Sequence, residues 1–482
     1  MAYVLAIDAG TTGVRAIVFD GCRLAVGAAY RELVMHYPRP GWVEQDPSEI
    51  WTATSAVVRD ALAQARIEAA DLDAVGVSNQ RSSIAAWDAS NLAPLAPMIT
   101  WQDVRTAERC AELGARGFFV TPNMAVSKAE WILNNVPAVR EAADAGRVRL
   151  GGLESWICAR LTGGLHVTDH SNASATGFYA QLAQSWDCAL LDELGIAVEA
   201  LPELVDSSSL VGKTSPEVLG AAIPIGAICG DQQASLFGLG CHGPGQTKCS
   251  YGTAAMVDAN SGGSVALGGG GTYPLIAWRI DGETSWCVEG NVVTAGAALQ
   301  WLREGPGLVS SAAESGALAE SVGDSGGVWA VPAFQGIGTP LMESGARAMI
   351  GGISRGTMKA HLVRAFLEGI AHRVADVAES VWENSVAPTA LRVDGGASRN
   401  DFLMQTQADF LGVPVERSPQ PDGSALGVAT LAAIAIRTAE GAAVAGQWKP
   451  DRVFEPRIDA GGREQLRERW KKRLSLVAQD LF

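Results

Sequence analysis

Residues 4–20 read VLAIDAGTTGVRAIVFD, two apolar runs on either side of a short turn of glycine and threonine. The first run ends in one carboxylate, Asp8, and Gly10 and Gly13 allow positive φ angles and close approach of the backbone to a ligand. Successive turn N–H groups bind anions, and the two threonine hydroxyls add donors. Because a carboxylate beside a phosphate needs a cation between them, the segment predicts a phosphate site with Mg²⁺. An ordinary hairpin with this turn composition is the alternative.

The size and composition of the chain indicate a large soluble globular protein of two or more domains, with 482 residues, 48% hydrophobic and 18% charged. A formal net charge of −15 argues against nucleic acid or an anionic membrane as the main partner, since both attract basic surfaces. The N-terminus shows neither a basic segment nor an uninterrupted apolar run, so no secretory signal or membrane span is expected. The 8 cysteines form no C-x-x-C pair, which disfavours zinc and favours a cytoplasmic protein with free thiols.

The order of apolar runs predicts an α/β fold in two blocks. The first block contains predicted strands at 74–78 and 84–88, and predicted helices at 50–64, 106–113 and 128–135. Asp46 and Pro47 form a helix start, with a cap residue followed by proline at the first helical position. The second block begins near Gly240, and its segment 247–257 echoes the N-terminal hairpin with a strand, a Gly-Thr turn and a strand. Its later predicted elements are helices at 357–383, 400–411 and 425–436 and a strand at 391–394. The segments 262–271 and 314–327 are interpreted as a hairpin tip and a surface excursion.

Asp231 and Gln232 follow an apolar run that ends at Cys229. In α/β proteins, side chains just beyond the C-terminal end of a strand face the ligand site. A carboxylate there can accept a hydroxyl proton during phosphoryl transfer, and Gln232 can hydrogen-bond a neighbouring hydroxyl. A helix N-cap is the alternative role for Asp231, and spacing alone favours it.

Three further motifs place polar or glycine residues after apolar strands. The segment 394–400 (DGGASRN) opens a predicted helix and can lie against an adenine or a phosphate, or be an ordinary tight turn. Arg81 can anchor substrate hydroxyls, and Trp101 can form a flat apolar wall beside a carbon chain. Core packing is the alternative for Trp101, and a local ion pair is the alternative for Asp103 with Arg105.

Nine motifs in order resemble the FGGY family of carbohydrate kinases, and within it they are most similar to those of glycerol kinases. They run from residue 4 to residue 397: the hairpin 4–20, then GWVEQDP at 41–47, SNQR at 78–81, WQDVRT at 101–106, GDQQA at 230–234, YGT at 251–253, AGAALQWLR at 295–303, VPAF at 331–334 and DGGA at 394–397.

The resemblance implies two actin-like, ribonuclease-H-like domains, 1–240 with the acceptor and phosphate site and 241–482 with the nucleotide site, and ATP in a cleft between them. It implies Asp231 as the catalytic base, and Asp8 and Asp231 as the ligands of Mg²⁺. The residues that it implies at the ATP phosphates are Thr11, Thr12 and Arg15, and those along the nucleotide are Gly252, Thr253, Gly296, Gln300, Gly396 and Asn400. The residues that it implies at a small polyol or sugar are Arg81, Trp101, Asp231 and Gln232. It is also compatible with a homodimer.

Two positions depart from glycerol kinases at the acceptor. Those enzymes have Glu after the arginine that matches Arg81, and here Ser82 follows it. Asn123 stands where they have a substrate-contacting Tyr. Both replacements shorten the side chain, and loss of a charged hydrogen bond costs about 1.5–3 kcal/mol. We therefore expect Ser82 and Asn123 to border an enlarged pocket for a polyol or ketose of about four or five carbons.

Two other functions are weighed against this one. A xylulokinase-type ketose kinase typically shows Gln-Met-His-Gly where residues 79–82 here read NQRS, which argues against it. A non-catalytic nucleotide-binding sensor of the same fold would not need two carboxylates, so the presence of both Asp8 and Asp231 weighs against that function.

Overall fold

The computed structural model describes residues 3–383, 386, 388–437 and 448–478, and its α/β class agrees with the sequence prediction. The strands are β1 Val4–Ala9, β2 Gly13–Phe19, β3 Ala25–Glu32, β4 Glu44–Gln45, β5 Ala74–Asn79, β6 Ala85–Asp88, β7 Met98–Ile99, β8 Val148–Gly151, β9 Val167–Asp169, β10 Tyr179–Ala180, β11 Ser185–Trp186, β12 Glu203–Val205, β13 Ser208–Lys213, β14 Pro224–Gly230, β15 Thr247–Tyr251, β16 Ala255–Gly262, β17 Tyr273–Ile280, β18 Glu283–Val292, β19 Trp329–Val331, β20 Met349–Gly351, β21 Leu391–Asp394, β22 Val415–Arg417 and β23 Arg452–Phe454. The helices are α1 Pro47–Ala65, α2 Ala107–Ala115, α3 Ala125–Asn135, α4 Pro137–Asp144, α5 Leu153–Thr162, α6 His170–Ser174, α7 Cys188–Leu194, α8 Pro216–Leu219, α9 Asp231–Gly238, α10 Gly296–Glu304, α11 Ala312–Glu320, α12 Lys359–Trp382, α13 Asp401–Leu411, α14 Gly423–Ala435 and α15 Ala460–Ala478.

The chain forms two compact units. The first comprises the described residues within Met1–Gly238, Leu275–Thr284 and Ser424–Gln447. The second comprises those within Leu239–Pro274, Ser285–Gly423 and Trp448–Phe482. Each unit therefore draws on more than one stretch of the sequence.

The sheet of the first unit is built around β1. Its strand order runs β3-β2-β1-β5-β14-β13, with β1 antiparallel to β2 and parallel to β5. Strand β14 is parallel to β5. Along these three parallel strands Ala9 lies opposite Asn79, and Asn79 lies opposite Gly230. The register therefore ends β1, β5 and β14 at the same edge of the sheet, the edge where α/β proteins bind ligands.

Helix α1 packs on this sheet and begins as the sequence predicts. The Asp46 carboxylate accepts a hydrogen bond from the Ser48 amide, and Pro47 is the first helical residue. Ile50 and Val57 of the helix are buried in a core shared with Leu5 and other residues of β1. Burying an aliphatic side chain of this size stabilises the fold by about 1.5–3 kcal/mol.

The strand order of the second unit repeats that of the first. It runs β18-β16-β15-β21-β22-β23, with β15 antiparallel to β16 and parallel to β21. Strand β16 is antiparallel to β18, and β21 is parallel to β22. The long helix α12 buries Val363, Phe366 and Ile370 in the core with Tyr251. The second hairpin predicted at 247–257 is thus confirmed.

Two details of the structure differ from what the sequence allows or suggests. Gly10 and Gly13 do not have positive φ angles; a Cβ at Gly13 would lie 2.4 Å from the hydroxyl of the exposed Tyr30, whose side chain would have to move. The segment 314–327 is not a simple surface excursion, because α11 Ala312–Glu320 occupies its first half. The Ser311 hydroxyl caps that helix, and the helix buries two of its own residues, Ser315 and Ala319.

Candidate functional site

Three predicted site residues of the first unit lie where β1, β5 and β14 end. Asp8 is one residue before the end of β1, Arg81 follows β5, and Asp231 follows β14 as the first residue of α9. Because Ala9, Asn79 and Gly230 are neighbours across the sheet, the fold brings two carboxylates and one guanidinium to one edge.

Asp231 and Arg81 form an ion pair. Arg81 Nε lies 3.3 Å from Asp231 Oδ1, and the two side chains are 10% and 28% exposed. Asp231 Oδ1 also accepts a hydrogen bond of 2.8 Å from the Gln232 amide. A Cβ at Gly230 would lie 2.6 Å from Arg81 Cδ, so only glycine lets the arginine side chain approach the strand. The carboxylate is therefore held in a defined position and still reaches solvent, as a proton acceptor requires.

Asp8 is held in an enclosed position beside this pair. One carboxylate oxygen accepts a hydrogen bond of 2.7 Å from the Ser424 hydroxyl. The other, Oδ1, is buried and has no hydrogen-bond partner among the described residues. Burial raises the pKa of Asp8, the Ser424 hydrogen bond opposes this, and the negative charge of Asp231 raises the pKa further. An orphaned carboxylate oxygen beside a second carboxylate is a donor set that suits a hard divalent cation.

The turn after Asp8 contacts Trp101, one of the residues predicted for the acceptor. Thr11 Oγ1 accepts a hydrogen bond of 2.9 Å from the indole N–H of Trp101. The Thr11 carbonyl accepts one of 2.9 Å from the Gln45 amide, and Gln45 in turn accepts one of 2.8 Å from Gln80. Trp101 is half-buried, so core packing does not describe it. Trp101, which is predicted to form a wall of the acceptor pocket, is therefore hydrogen-bonded directly to the predicted phosphate turn.

The other two predicted phosphate residues, Thr12 and Arg15, lie beside Tyr30. The Thr12 carbonyl accepts hydrogen bonds from the Leu33 amide at 3.0 Å and from the Tyr30 hydroxyl at 3.3 Å. The Arg15 guanidinium lies 5.4 Å from the centre of the Tyr30 ring, and Arg15 is opposite Asp8 in the β1–β2 register. The hairpin thus places Arg15 opposite Asp8 on the neighbouring strand.

Ser82 and Asn123 use their polar atoms on the protein itself. Ser82 has a left-handed φ of 61°, and its hydroxyl donates a hydrogen bond of 2.7 Å to the Ala175 carbonyl. The Asn123 side-chain amide donates one of 3.2 Å to the Trp101 carbonyl. With its proton committed to Ala175, Ser82 can only accept a hydrogen bond from a substrate hydroxyl.

In the second unit, the predicted nucleotide residues gather at the end of β15. The Gly296 amide donates a hydrogen bond of 3.0 Å to the Gly252 carbonyl, and the amides of Ala295 and Ala297 donate to the Thr253 carbonyl at the same distance. Gly395 has a φ of 85°. These bonds place the start of α10 directly on the hairpin turn.

The remaining nucleotide candidates lie on the flanks of this turn. A Cβ at Gly396 would meet no atom within 4 Å, so its backbone face is open. Asn400 caps α13 by accepting from the Leu403 amide at 3.0 Å, and its amide donates to the Ser315 hydroxyl at 3.0 Å. Gln300 is exposed and donates to Glu304 at 3.0 Å.

Sequence reasoning missed a buried polar network behind the strand ends of the first unit. Asn79 at the end of β5 donates to the Glu154 carboxylate at 2.7 Å and to the Asn172 side chain at 3.0 Å. Burial raises the pKa of Glu154 to about 7, although a hydrogen bond from Thr168 opposes the shift. Ser424 was missed as well. Asn79 sits inside a motif that the sequence did single out, whereas nothing near Ser424 in the sequence points to Asp8.

In the described ranges, no group of three or more His, Cys, Asp or Glu side chains is placed to hold a metal ion. Nor does any helix in the described part of the chain have the length and apolarity that a bilayer span requires. The Asp103–Arg105 ion pair considered from the sequence is present at 2.7 Å, and it is buried.

Comparison with known proteins identifies the family to which the chain is similar. Residues 3–238 match the N-terminal domain model of the FGGY family of carbohydrate kinases, and residues 247–436 match the C-terminal domain model. A glycerol kinase of Halorhodospira halophila is 44% identical over 98% of this chain and 95% of that protein. A glycerol kinase of Carboxydothermus hydrogenoformans is 43% identical over 98% of this chain and 97% of that protein.

Two solved structures of kinases are also similar to this chain over nearly its whole length. The crystal structure of Plasmodium falciparum glycerol kinase with ADP covers 99% of this chain and 98% of its own, with a TM-score of 0.90 at 27% identity. A structure described as a xyloylose kinase from Brucella ovis covers 98% of each chain, with a TM-score of 0.83 at 26% identity. These likenesses confirm the expected actin-like α/β class. The chain belongs to the FGGY family of carbohydrate kinases.

Proposed function

We propose that this kinase transfers the γ-phosphoryl group of ATP to a hydroxyl of a small polyol or ketose that is larger than glycerol. As a member of its family the chain is an ATP-dependent phosphotransferase with an alcohol group as acceptor. The observation that carries the residue assignment is the Arg81–Asp231 ion pair, at the edge where Asp8 also lies.

Asp231 is the general base in this proposal. The acceptor hydroxyl attacks the γ-phosphorus, the bond from that phosphorus to the ADP oxygen breaks, and the hydroxyl proton moves to the Asp231 carboxylate. Arg81 keeps the carboxylate oriented through its 3.3 Å contact, and Gln232 contacts a neighbouring substrate hydroxyl. Catalysis then depends on positioning and on charge stabilisation, as in other phosphoryl transfers.

Asp8 and Asp231 would hold Mg²⁺. The buried, orphaned Oδ1 of Asp8 supports this assignment. Mg²⁺ is commonly bound by one or two carboxylates together with substrate phosphates and water, which agrees with the absence of a larger acidic cluster in the described residues. When bound, the ion would neutralise phosphate charge.

The phosphates and the nucleoside are assigned to different units. We assign the ATP phosphates to the hairpin turn with Thr11, Thr12 and Arg15. The residues assigned to the nucleoside lie in the second unit, where the carbonyls of 252 and 253 fix the start of α10: Gly252, Thr253, Gly296, Gln300, Gly396 and Asn400. The open backbone face at Gly396 supports close approach of a flat base.

The enlarged acceptor follows from Ser82 and Asn123. Both side chains are short, and both bond to protein carbonyls. Neither supplies the charge or the phenol ring that glycerol kinases have at the matching positions. We infer an acceptor of about four or five carbons, whose extra hydroxyls replace those lost contacts; one charged hydrogen bond is worth about 1.5–3 kcal/mol.

A coupled ADP-release assay over C3 to C6 polyols and ketoses tests the proposal. We expect turnover with a four- or five-carbon acceptor at a higher kcat/KM than with glycerol. Highest kcat/KM with glycerol would refute the enlarged pocket but leave the kinase assignment standing. ATP binding with no ADP release from any acceptor would refute the kinase assignment and favour a nucleotide sensor.

The double variant Ser82→Glu with Asn123→Tyr is the matched control for acceptor size. It restores the side chains of glycerol kinases at the two positions. We expect its kcat/KM for glycerol to rise about tenfold while that for the larger acceptor falls, since one decade corresponds to about 1.4 kcal/mol. An unchanged order of acceptors would show that these residues do not set the pocket size.

A further inference from the structure

Lys128 is a fully buried lysine next to the acceptor residues. It lies in α3, its side chain has no solvent exposure, and its ammonium donates hydrogen bonds to two backbone carbonyls. The distances are 2.8 Å to Thr100 O and 3.1 Å to Asn123 O. In the part of the chain that the structure describes, no carboxylate forms an ion pair with it.

The two carbonyls belong to the segments that form the acceptor wall, which we define as Trp101 with Asn123. Thr100 directly precedes Trp101. The Asn123 side-chain amide donates to the Trp101 carbonyl at 3.2 Å, and the Trp101 amide donates to the Ser83 hydroxyl at 3.2 Å. The Lys128 ammonium therefore joins these two segments through their carbonyls, and it is not itself exposed to solvent.

The charges around Lys128 leave its ammonium without a carboxylate partner. Asp103 contributes the largest negative charge acting on Lys128, but it is paired with Arg105, which in turn pairs with Glu44. Burial lowers the pKa of Lys128 to about 7, Asp103 and Cys110 oppose the shift, and Arg105 adds to it. A buried ammonium of this kind costs free energy, so a methionine of similar shape would suit a purely structural role better.

We propose that Lys128 is a positioning residue for the phosphoryl acceptor, holding the Thr100 and Asn123 carbonyls together so that Trp101 and Asn123 form a wall of fixed geometry. This inference rests on the proposed function, because it needs Trp101 and Asn123 to contact the acceptor. Its distinguishing feature is that Lys128 acts through backbone carbonyls and touches neither acceptor nor ATP.

Lys128→Met tests this role with steady-state kinetics. We expect the acceptor KM to rise about tenfold or more, because a wall displaced by a fraction of an ångström loses its aligned contacts, while kcat and the ATP KM change by less than about threefold. Glu130→Gln is the matched control on the same helix: it removes the charge paired with Arg109 at 2.8 Å and should leave the acceptor KM unchanged. An unchanged acceptor KM in folded Lys128→Met would overturn the proposal.

The native enzyme gives a second test that does not depend on the folding of a variant. Charge-assisted hydrogen bonds to the two carbonyls weaken when the ammonium loses its proton. With a pKa of about 7 for Lys128, the acceptor KM should increase as the pH rises through neutrality, while the ATP KM stays flat. An acceptor KM that is constant from about pH 6 to about pH 9 would contradict the proposal.

The two proposals fail in different ways. If the native enzyme releases no ADP with any polyol or ketose, the proposed function has failed. If the native enzyme turns over a polyol but its acceptor KM is insensitive both to pH and to Lys128→Met, only the positioning role has failed.

Discussion

The hairpins β1–β2 and β15–β16 occupy matching places in the strand orders of the two units, but they carry different chemistry. The next-to-last residue of β1 is Asp8, and the next-to-last residue of β15 is Ser250. Asp8 of the first hairpin is half-buried, and its Oδ1 is buried with no hydrogen-bond partner among the described residues. In the second hairpin, the carbonyls of the turn accept hydrogen bonds from the amides at the start of α10.

Under the proposed assignment, this difference would let one scaffold serve two tasks. In the first unit, the strand ends collect charge, with Asp8, Arg81 and Asp231 at one edge. In the second unit, the turn at the end of β15 consists of backbone and glycine, and Gly252 and Thr253 are exposed there. Charged groups are what phosphoryl transfer needs, and exposed backbone is what a nucleoside can lie against. Fold alone therefore does not distinguish the units, whereas the side chains at matched positions do.

The largest expected effect is that of Asp231→Asn, which removes the proposed base from the charged edge. Loss of a general base typically lowers kcat by about 10²–10⁴-fold. ATP binding should be nearly unchanged, because the nucleotide contacts assigned to the second unit are untouched. Single-turnover kinetics together with ATP titration checks both expectations. Near-normal turnover would remove Asp231 from the chemistry and leave only its pairing with Arg81.

Glu154→Gln tests the buried network behind the first unit's strand ends. With a pKa of about 7 in the fold, Glu154 keeps its proton between about pH 4.5 and about pH 7, whereas the unfolded chain gives it up. The free energy of unfolding should therefore fall by about 3 kcal/mol as the pH rises through this window. The Gln variant should not show that part of the decline. Urea unfolding of both proteins at about pH 5 and about pH 7 measures the difference. Parallel pH profiles for the two proteins would mean that Glu154 is ionised in the fold.

A pair of glycine variants compares the two turns directly. Gly395 has a φ of 85°, and a Cβ there would lie 2.5 Å from the Tyr251 carbonyl oxygen. We expect Gly395→Ala to lower the free energy of unfolding by about 2 kcal/mol or more. Gly10 has an ordinary φ, and its nearest atom to a Cβ is 3.5 Å away, so Gly10→Ala should be neutral for stability. Thermal unfolding of both variants measures the contrast, and equal Tm losses would show that the turns are equally constrained.

The parts of the site that the sequence predicts are those with local signals. Both hairpins, the Asp46–Pro47 helix start and the strand that ends at Asp394 are visible as apolar runs bounded by glycine, proline or a capping residue. Helix α11 was missed because its Ser-, Gly- and acidic-rich composition is that of a loop, and tertiary packing of Ser315 and Ala319 overrides it.

The residues that the sequence could not assign act over long separations. Ser424 reaches Asp8 from 416 residues away, and no periodicity reports such a pairing. The role of Lys128 depends on carbonyls brought together by the fold, from 28 and 5 residues away. In both cases the residue type is ordinary in its own stretch of chain, and only the packing brings it to its hydrogen-bond partners.

The most direct test of the account is the Mg²⁺ dependence of acceptor-stimulated ADP release in Asp8→Asn and Ser250→Ala, the matched positions of the two hairpins. We predict that Asp8→Asn lowers kcat/KM for ATP by about 10²-fold or more, the size of effect expected when one preorganised electrostatic contact is lost, and raises the Mg²⁺ concentration needed for half-maximal rate. Ser250→Ala should stay within about twofold of the native enzyme. Equal effects of the two substitutions, or an unchanged Mg²⁺ dependence in Asp8→Asn, would contradict the assignment of phosphoryl transfer to the charged hairpin.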